Sequence, residues 1–486
     1  MHVLMVTSEA APFAKSGGLA DAVSALSKAL RRLGHDVRIV MPRYRDLSIV
    51  DPASLNLELS VAMGWSDERA SVFTSVLPDS DVPVYFLQHA GFYEREGIYG
   101  SKAEPDYGDN PRRFAFLSRA AFRLCEALDW TPDVLHAHDW PSSFVPVFKR
   151  YSEPAFSKAV SVLTIHNLGY QGVYPKTSFP GLSMDWELFH GAGFEYYDSV
   201  NLLKGGISSA DKLTTVSPTY AREIQTPELG CALDGLLRAR SNSLVGILNG
   251  VDGFDWNPAT DPYLPANYTA DDLSGKAVCK AALQAEFGLP IAPDKPLVGM
   301  VSRLTDQKGV GELFGPTYGC AARLCLDMDM QFVVQGTGEP WCEAELRVLS
   351  QNVPNFRAKV GYSERIAHLI EAGSDFFMMP SRYEPCGLNQ MYSLRYGTLP
   401  IAHRTGGLAD TISNFNQDTG AGTGFLFDHL TPRSIYDTTG WAVWAYYNRD
   451  EQMLAMKKRA MRLEFSWDSA AREYEALYLV PGMTRS

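Results

Sequence analysis

The 486-residue chain is 45% hydrophobic and too long for one compact core, so two domains are expected, each with a large buried interior. Its 44 basic and 56 acidic residues give a formal net charge of −12, which argues against a phosphate-backbone footprint, and no nucleic-acid partner is expected. An anionic substrate must then be met by a few placed Lys and Arg side chains and helix N-termini, because the overall field repels it.

The chain opens with an apolar run, Met1 to Val6, that lacks a basic leader and is closed by Glu9, so it reads as a first β-strand rather than a signal peptide. Short apolar runs then alternate with longer segments of helical period, the pattern of parallel sheets covered by crossover helices. Predicted strands in the first half are residues 3–6, 37–40, 84–87, 134–136, 160–165 and 213–216. A second series is predicted at 244–248, 297–301, 331–335, 376–379 and 398–402. That many strands fit two sheets better than one.

A short internal repeat supports two units. Gly17-Gly18-Leu19-Ala20-Asp21 recurs as Gly406-Gly407-Leu408-Ala409-Asp410, each copy after a strand and at the start of a helix. Glycine there lets backbone N–H groups approach an anion where the helix dipole favours it, although a tight strand-to-helix turn needs no ligand. The boundary is expected near Asn249-Gly250-Val251-Asp252, followed by a loop-rich stretch with Pro258, Pro262 and Pro265. Residues 453–478 have helical period. The seven cysteines are scattered, with no CxxC pair or zinc spacing, which fits a reduced cytoplasm. No apolar stretch approaches the length needed to span a bilayer.

Three segments carry chemistry. Val301-Ser302-Arg303-Leu304-Thr305-Asp306-Gln307-Lys308-Gly309 places two cations after an apolar strand, where open α/β sheets bind ligands. Arg offers a fixed fork of donors and Lys a mobile charge, which suits a diphosphate, and a solvated basic loop would read the same way. Pro380-Ser381-Arg382-Tyr383-Glu384-Pro385-Cys386-Gly387-Leu388-Asn389-Gln390 follows another apolar strand. Its carboxylate could grip sugar hydroxyls or simply favour a helix N-terminus. The third comprises His136-Ala137-His138-Asp139-Trp140 and Thr164-Ile165-His166-Asn167. Without a further ligand cluster a metal site is not expected; an aromatic face beside hydrogen-bonding groups suits a sugar, and strand-end histidines are also commonly structural.

These blocks, in this order, resemble the bacterial glycogen synthase and plant starch synthase family from Met1 to about Tyr478, and Lys15-Ser16-Gly17-Gly18-Leu19-Ala20-Asp21 resembles its K-x-G-G-L-x-D signature. The resemblance implies an α/β chain of GT-B architecture, two facing Rossmann-like domains with a deep cleft. The domains would be an N-terminal acceptor-side domain over 1–248, a C-terminal donor-side domain over 249–455, and a helix at 456–486 that crosses back. It implies retaining transfer of glucose from ADP-glucose to the non-reducing end of glycogen or another α-1,4-glucan, with no cofactor, no metal and no membrane. Lys15, Gly17, Gly18 and Asp21 would line the donor nucleotide, and Asn249 and Tyr362 the nucleoside. Arg303 and Lys308 would hold the diphosphate. Glu384 with the backbone of Cys386, Gly387 and Leu388 would hold the glucose and adjoining phosphate, and Asp139, Trp140, His166 and Asn167 would surround the glucose and the acceptor end. Tyr392 stands where many other retaining relatives carry a second Glu, and Asn389 where many bacterial members have Thr. Two alternatives are a GT-B glucosyltransferase with a small sugar acceptor and a non-catalytic glucan-binding protein.

Overall fold

The structure is a computed structural model that describes residues 1–47, 52–251, 253 and 255–479. Packing divides the chain into two units, Met1–Gly250 with the segment from Trp467 onward, and Val251–Ser466. Of the expected boundary turn, Asp252 lies outside the described residues.

The first unit contains strands β1 (His2–Val6), β2 (Asp36–Pro42), β3 (Ala53–Met63), β4 (Ser66–Val76), β5 (Pro83–Gln88), β6 (Val134–His138) and β7 (Val160–Ile165). They are followed by the short β8 (Val173–Pro175), β9 (Glu195–Tyr196) and β10 (Ser199–Asn201), then β11 (Lys212–Thr215) and β12 (Leu244–Gly246). Nine of these form one sheet in the order β12-β11-β7-β6-β1-β2-β5-β4-β3. Pairing is parallel from β12 to β5, and the β3–β4 hairpin adds an antiparallel edge. Strands 1, 6 and 7 are buried almost throughout because helices cover both faces, as parallel sheets require. The helix Gly18–Arg32 buries Leu19, Val23, Leu26 and Leu30 at helical spacing and carries Asp21 in its first turn and Arg31 and Arg32 in its last, as the helix dipole favours.

In the first unit the structure departs from the predicted strands in three places. The strand near residue 244 was expected to open the second series, yet β12 pairs in parallel with β11, Leu213 opposite Leu244, and closes the first sheet. The β3–β4 hairpin is absent from the predicted strands because those are continuous apolar runs, whereas this edge ribbon alternates, Leu55, Leu57, Leu59 and Val61 with Asn56, Glu58 and Ser60, as a strand with one exposed face does. The small sheet β8-β10-β9 also went unpredicted, its strands being too short to show a period.

The second unit holds β13 (Leu297–Leu304), β14 (Gln331–Gly338), β15 (Phe356–Val360), β16 (Phe376–Met379), β17 (Leu399–His403) and β18 (Phe425–Phe427) in one parallel sheet of order β15-β14-β13-β16-β17-β18. The pleat sorts the core. Val298, Met300, Phe332, Val334, Phe376 and Ile401 pack on one side, and Leu297, Val333, Phe377, Met379 and Ala402 on the other. Strand β13 runs three residues beyond the predicted end, pairing with β14 as far as Leu304 and Gly338. The helical period of 453–478 divides into helices Asp450–Met461 and Trp467–Tyr478, and only the latter belongs to the first unit.

Candidate active site

In a sheet of order 3-2-1-4-5-6 the first crossover runs one way and the later ones the other, leaving a crevice at the C-terminal ends of the two central strands. In the second unit those strands are β13 and β16. A cavity of about 190 Å³ opens there, lined by Arg303, Lys308, Ser381, Glu384, Gly387, Leu388 and Asn389 among others. The segment with two cations after β13 and the Glu384 segment after β16 thus converge on one pocket.

Arg303 lies within the end of β13 and is exposed, with no hydrogen bond or ion pair from its guanidinium among the described residues. Lys308 ends a short 3-10 turn, and its Nζ donates to Glu384 Oε2 at 2.6 Å. The same Oε2 accepts from Ser381 Oγ at 2.8 Å, which leaves Oε1 facing no protein donor among the described residues. Arg382 pairs with Asp306 and Glu312 and its backbone N–H donates to Gln307, so the loops after β13 and β16 are stitched together.

The repeated glycine turns serve different ends. Around Gly17 and Gly18 there is open space, and both are exposed. At Gly407 an added Cβ would strike the carbonyl oxygen of Cys386, and the Gly407 N–H donates to the carbonyl of Glu384 at 3.0 Å. The second copy is a buttress for the Glu384 loop, and its glycine is required by backbone approach rather than by an anion.

In the first unit the corresponding crevice lies between β1 and β6. The loop after β1 carries Lys15, whose ammonium pairs with Asp21 at 2.7 Å while remaining half exposed. Glu9, to which the sequence pattern assigns nothing, is buried and accepts from the backbone and hydroxyl of Ser16 and from Tyr99 Oη, fixing the entry to the glycine turn. Its position just past the first strand is the only signal that could have found it. After β6, Asp139 adopts φ 56° and its Oδ1 accepts from the His166 N–H at 2.7 Å. His166 Nε2 lies 3.2 Å from His138 Nδ1, while His136 bridges Tyr478 Oη and Thr164 Oγ1. Trp140 is buried, with Tyr99, Phe114 and Tyr174 around its ring. Asn167 is half-buried beside His166, and its side chain accepts from the Gly169 N–H.

Asn249 was expected in the C-terminal domain and belongs to the first unit, following β12. Tyr362 stands in the second unit beyond β15, largely exposed, and neither residue lines the 190 Å³ cavity. Cys386 is buried behind it. Among the described residues no group of three or more His, Cys, Asp or Glu side chains is arranged to hold a metal ion.

Burial pushes the Asp139 carboxyl up to about 7, against the opposing N–H groups of His166 and Asn167, and drives the His136 and His166 imidazoles down to about 3 and His138 well below its ordinary value. The signs differ. The unfolded chain binds more protons at His136 and His166 between about 3 and 6.5, and at His138 below its ordinary value, so their contribution is lost as pH falls; the folded chain binds more at Asp139 between about 4 and 7, so its contribution is lost as pH rises. Three rings outweigh one carboxyl below neutrality. His166→Gln should therefore reduce the slope of unfolding free energy against pH between 4 and 6 by about one proton. Urea unfolding at fixed pH steps measures it, and an unchanged slope contradicts the neutral His166 ring.

Two family models match the chain, the starch synthase catalytic domain over residues 2–239 and the group 1 glycosyl transferases over residues 284–438. A glycogen synthase of Treponema denticola is 53% identical over 480 residues, covering 98% of both chains, and glycogen synthase 1 of Geobacter sulfurreducens is 48% identical over 98% of this chain and 96% of its own. The chain belongs to the glycogen synthase and starch synthase family. Among solved structures, the catalytic domain of starch synthase IV from Arabidopsis thaliana, bound to ADP and acarbose, superposes with a TM-score of 0.88 at 35% identity over 98% of each chain. Sucrose-phosphate synthase from Thermosynechococcus elongatus, at a TM-score of 0.61 and 15% identity, shares the fold alone. The fold of this family member is GT-B, two Rossmann-like parallel-sheet units.

Proposed function

We propose that this protein is a retaining glucosyltransferase that moves glucose from ADP-glucose to the non-reducing end of an α-1,4-glucan. The observation that carries the reading is the pocket at the ends of β13 and β16, which Arg303, Lys308 and Glu384 line together and in which Lys308 pairs with the Glu384 carboxylate. One side of this pocket suits a diphosphate and the other a sugar. The second unit takes the donor, with Tyr362 against its base. The first unit supplies Lys15, Gly17, Gly18, Asp21 and Asn249 to the nucleotide. Asp139, Trp140, His166 and Asn167 belong to the glucose and the acceptor end.

The bond between the anomeric carbon and the diphosphate oxygen breaks with its electron pair going to the diphosphate. The acceptor hydroxyl attacks from the same face, and its proton passes to the departing phosphate oxygen, so configuration is retained. The cations stabilise the charge that grows on the leaving group, and the Glu384 loop holds the sugar in place. No helix among the described residues is long and apolar enough to cross a membrane, and the reading places the protein in the cytoplasm.

The test compares ADP-glucose and UDP-glucose with and without glycogen, following nucleotide release. ADP should appear only when glycogen is present, with UDP-glucose the poorer donor. Absence of any glycogen-dependent release would defeat the proposal.

A further inference from the structure

The helix Asn389–Arg395 begins at the lip of the pocket, and its first residue and the preceding Leu388 belong to the pocket's wall. Asn389 donates to the Val301 carbonyl, and Gln390 Nε2 donates back to the carbonyls of Cys386 and Gly387 at 2.9 and 3.0 Å. Any shift of this helix therefore carries the 386–389 backbone with it.

What sets the helix comes from elsewhere in the unit. The chain enters the unit at Val251, and five residues later Trp256 lies between two rings, His368 at 3.8 Å and 11° and Tyr392 at 4.0 Å and 9°. His368 belongs to the helix Glu364–Gly373 and Tyr392 to Asn389–Arg395, so the indole is wedged between two helices. Asp261, from the same segment, adds a polar clamp. Its fully buried Oδ2 accepts from Tyr396 Oη at 2.6 Å and meets His368 Nδ1 at 2.7 Å, and its Oδ1 accepts from the Tyr263 N–H. Arg395 reaches the Gly253 carbonyl at 3.2 Å. Stacked rings restrict sliding along the helix axis, and the carboxylate restricts rotation at its C-terminal end.

From this geometry we infer that Trp256 and Asp261 are positioning residues, which fix the helix Asn389–Arg395 and through it the Glu384 loop. The inference rests on the reading of that loop as the sugar-holding element. It also gives Tyr392, which stacks on Trp256, a mechanical task.

Amide hydrogen exchange separates this from a general loss of stability. In Trp256→Ala, amides of residues 386–391 should exchange about tenfold faster or more while those of β13 and β14 keep wild-type rates, because only the local opening is eased. Turnover should fall about tenfold with KM for the glucan unchanged, since displacement of about 1 Å can cost up to a hundredfold. Trp256→Phe, which retains a ring, should restore both; Tyr392→Leu should repeat the alanine pattern if Trp256→Ala does not fold. Unchanged exchange at 386–391, equal acceleration in β13 and β14, or kcat within about twofold of wild type in a folded variant would each overturn the inference. If the wild type transfers no glucose, the functional reading fails, and the exchange pattern alone decides whether the wedge holds the loop.

Discussion

Lys308→Ala should cost more than Arg303→Ala, and each should lower kcat/KM by about a hundredfold or more, the usual loss when a preorganised group that meets developing charge is removed. The order follows from their partners. Arg303 is exposed with no protein acceptor among the described residues, so its removal takes away one positive charge and little else. Lys308 also neutralises Glu384, whose side chain is 8% exposed and has Ser381 as its other partner. Its loss leaves a nearly buried carboxylate without a counter-charge, which perturbs the sugar side of the pocket as well as the phosphate side. Lys308→Arg should recover part of the activity by keeping the charge. On the proposed mechanism these cations supply the positive charge at the leaving group, so transfer should persist in excess chelator. Loss of activity in chelator that magnesium or manganese restores would refute this, and near-normal turnover in both alanine variants would refute the roles given to the side chains.

Glu384→Ala is expected to lower turnover by about ten- to a hundredfold, the equivalent of one charge-assisted hydrogen bond of roughly 1.5–3 kcal/mol felt in the transition state. Glu384→Gln should be damaged too, for a reason visible in the geometry. Oε2 already takes donors from Lys308 and Ser381, so the amide must either turn its NH2 toward the ammonium or offer it to the sugar in place of Oε1. Neither arrangement reproduces a carboxylate that accepts on both oxygens. Steady-state kinetics on both variants, with circular dichroism to check folding, measures the effect. Full activity in Glu384→Ala removes this residue from the mechanism.

Much of this protein can be read from its sequence. Fully buried parallel strands must be nearly continuous apolar runs, so the central strands of both sheets announce themselves, as do the motifs at their C-terminal ends. The family and its fold follow from those motifs and their order, and the comparisons agree. What is not a continuous apolar run carries a different signature or too short a one. The β3–β4 hairpin meets solvent on one face and so alternates over 55–61 instead of forming a run, and β12 is too short to declare its sheet until β11 is found beside it.

Only the tertiary structure decided the partnerships. Lys308 and Glu384 are 76 residues apart in sequence and meet because β13 and β16 are adjacent in a parallel sheet. The second glycine pair looks like an anion-binding turn in sequence and becomes a backbone buttress because the Glu384 loop lies against it. Trp256 carries no signal at all until His368 and Tyr392 arrive on either side of it. Residue type and spacing specify which groups can do chemistry and which element each belongs to. Which of them touch is set by strand order and helix packing, whose energies are summed over contacts far apart in the chain.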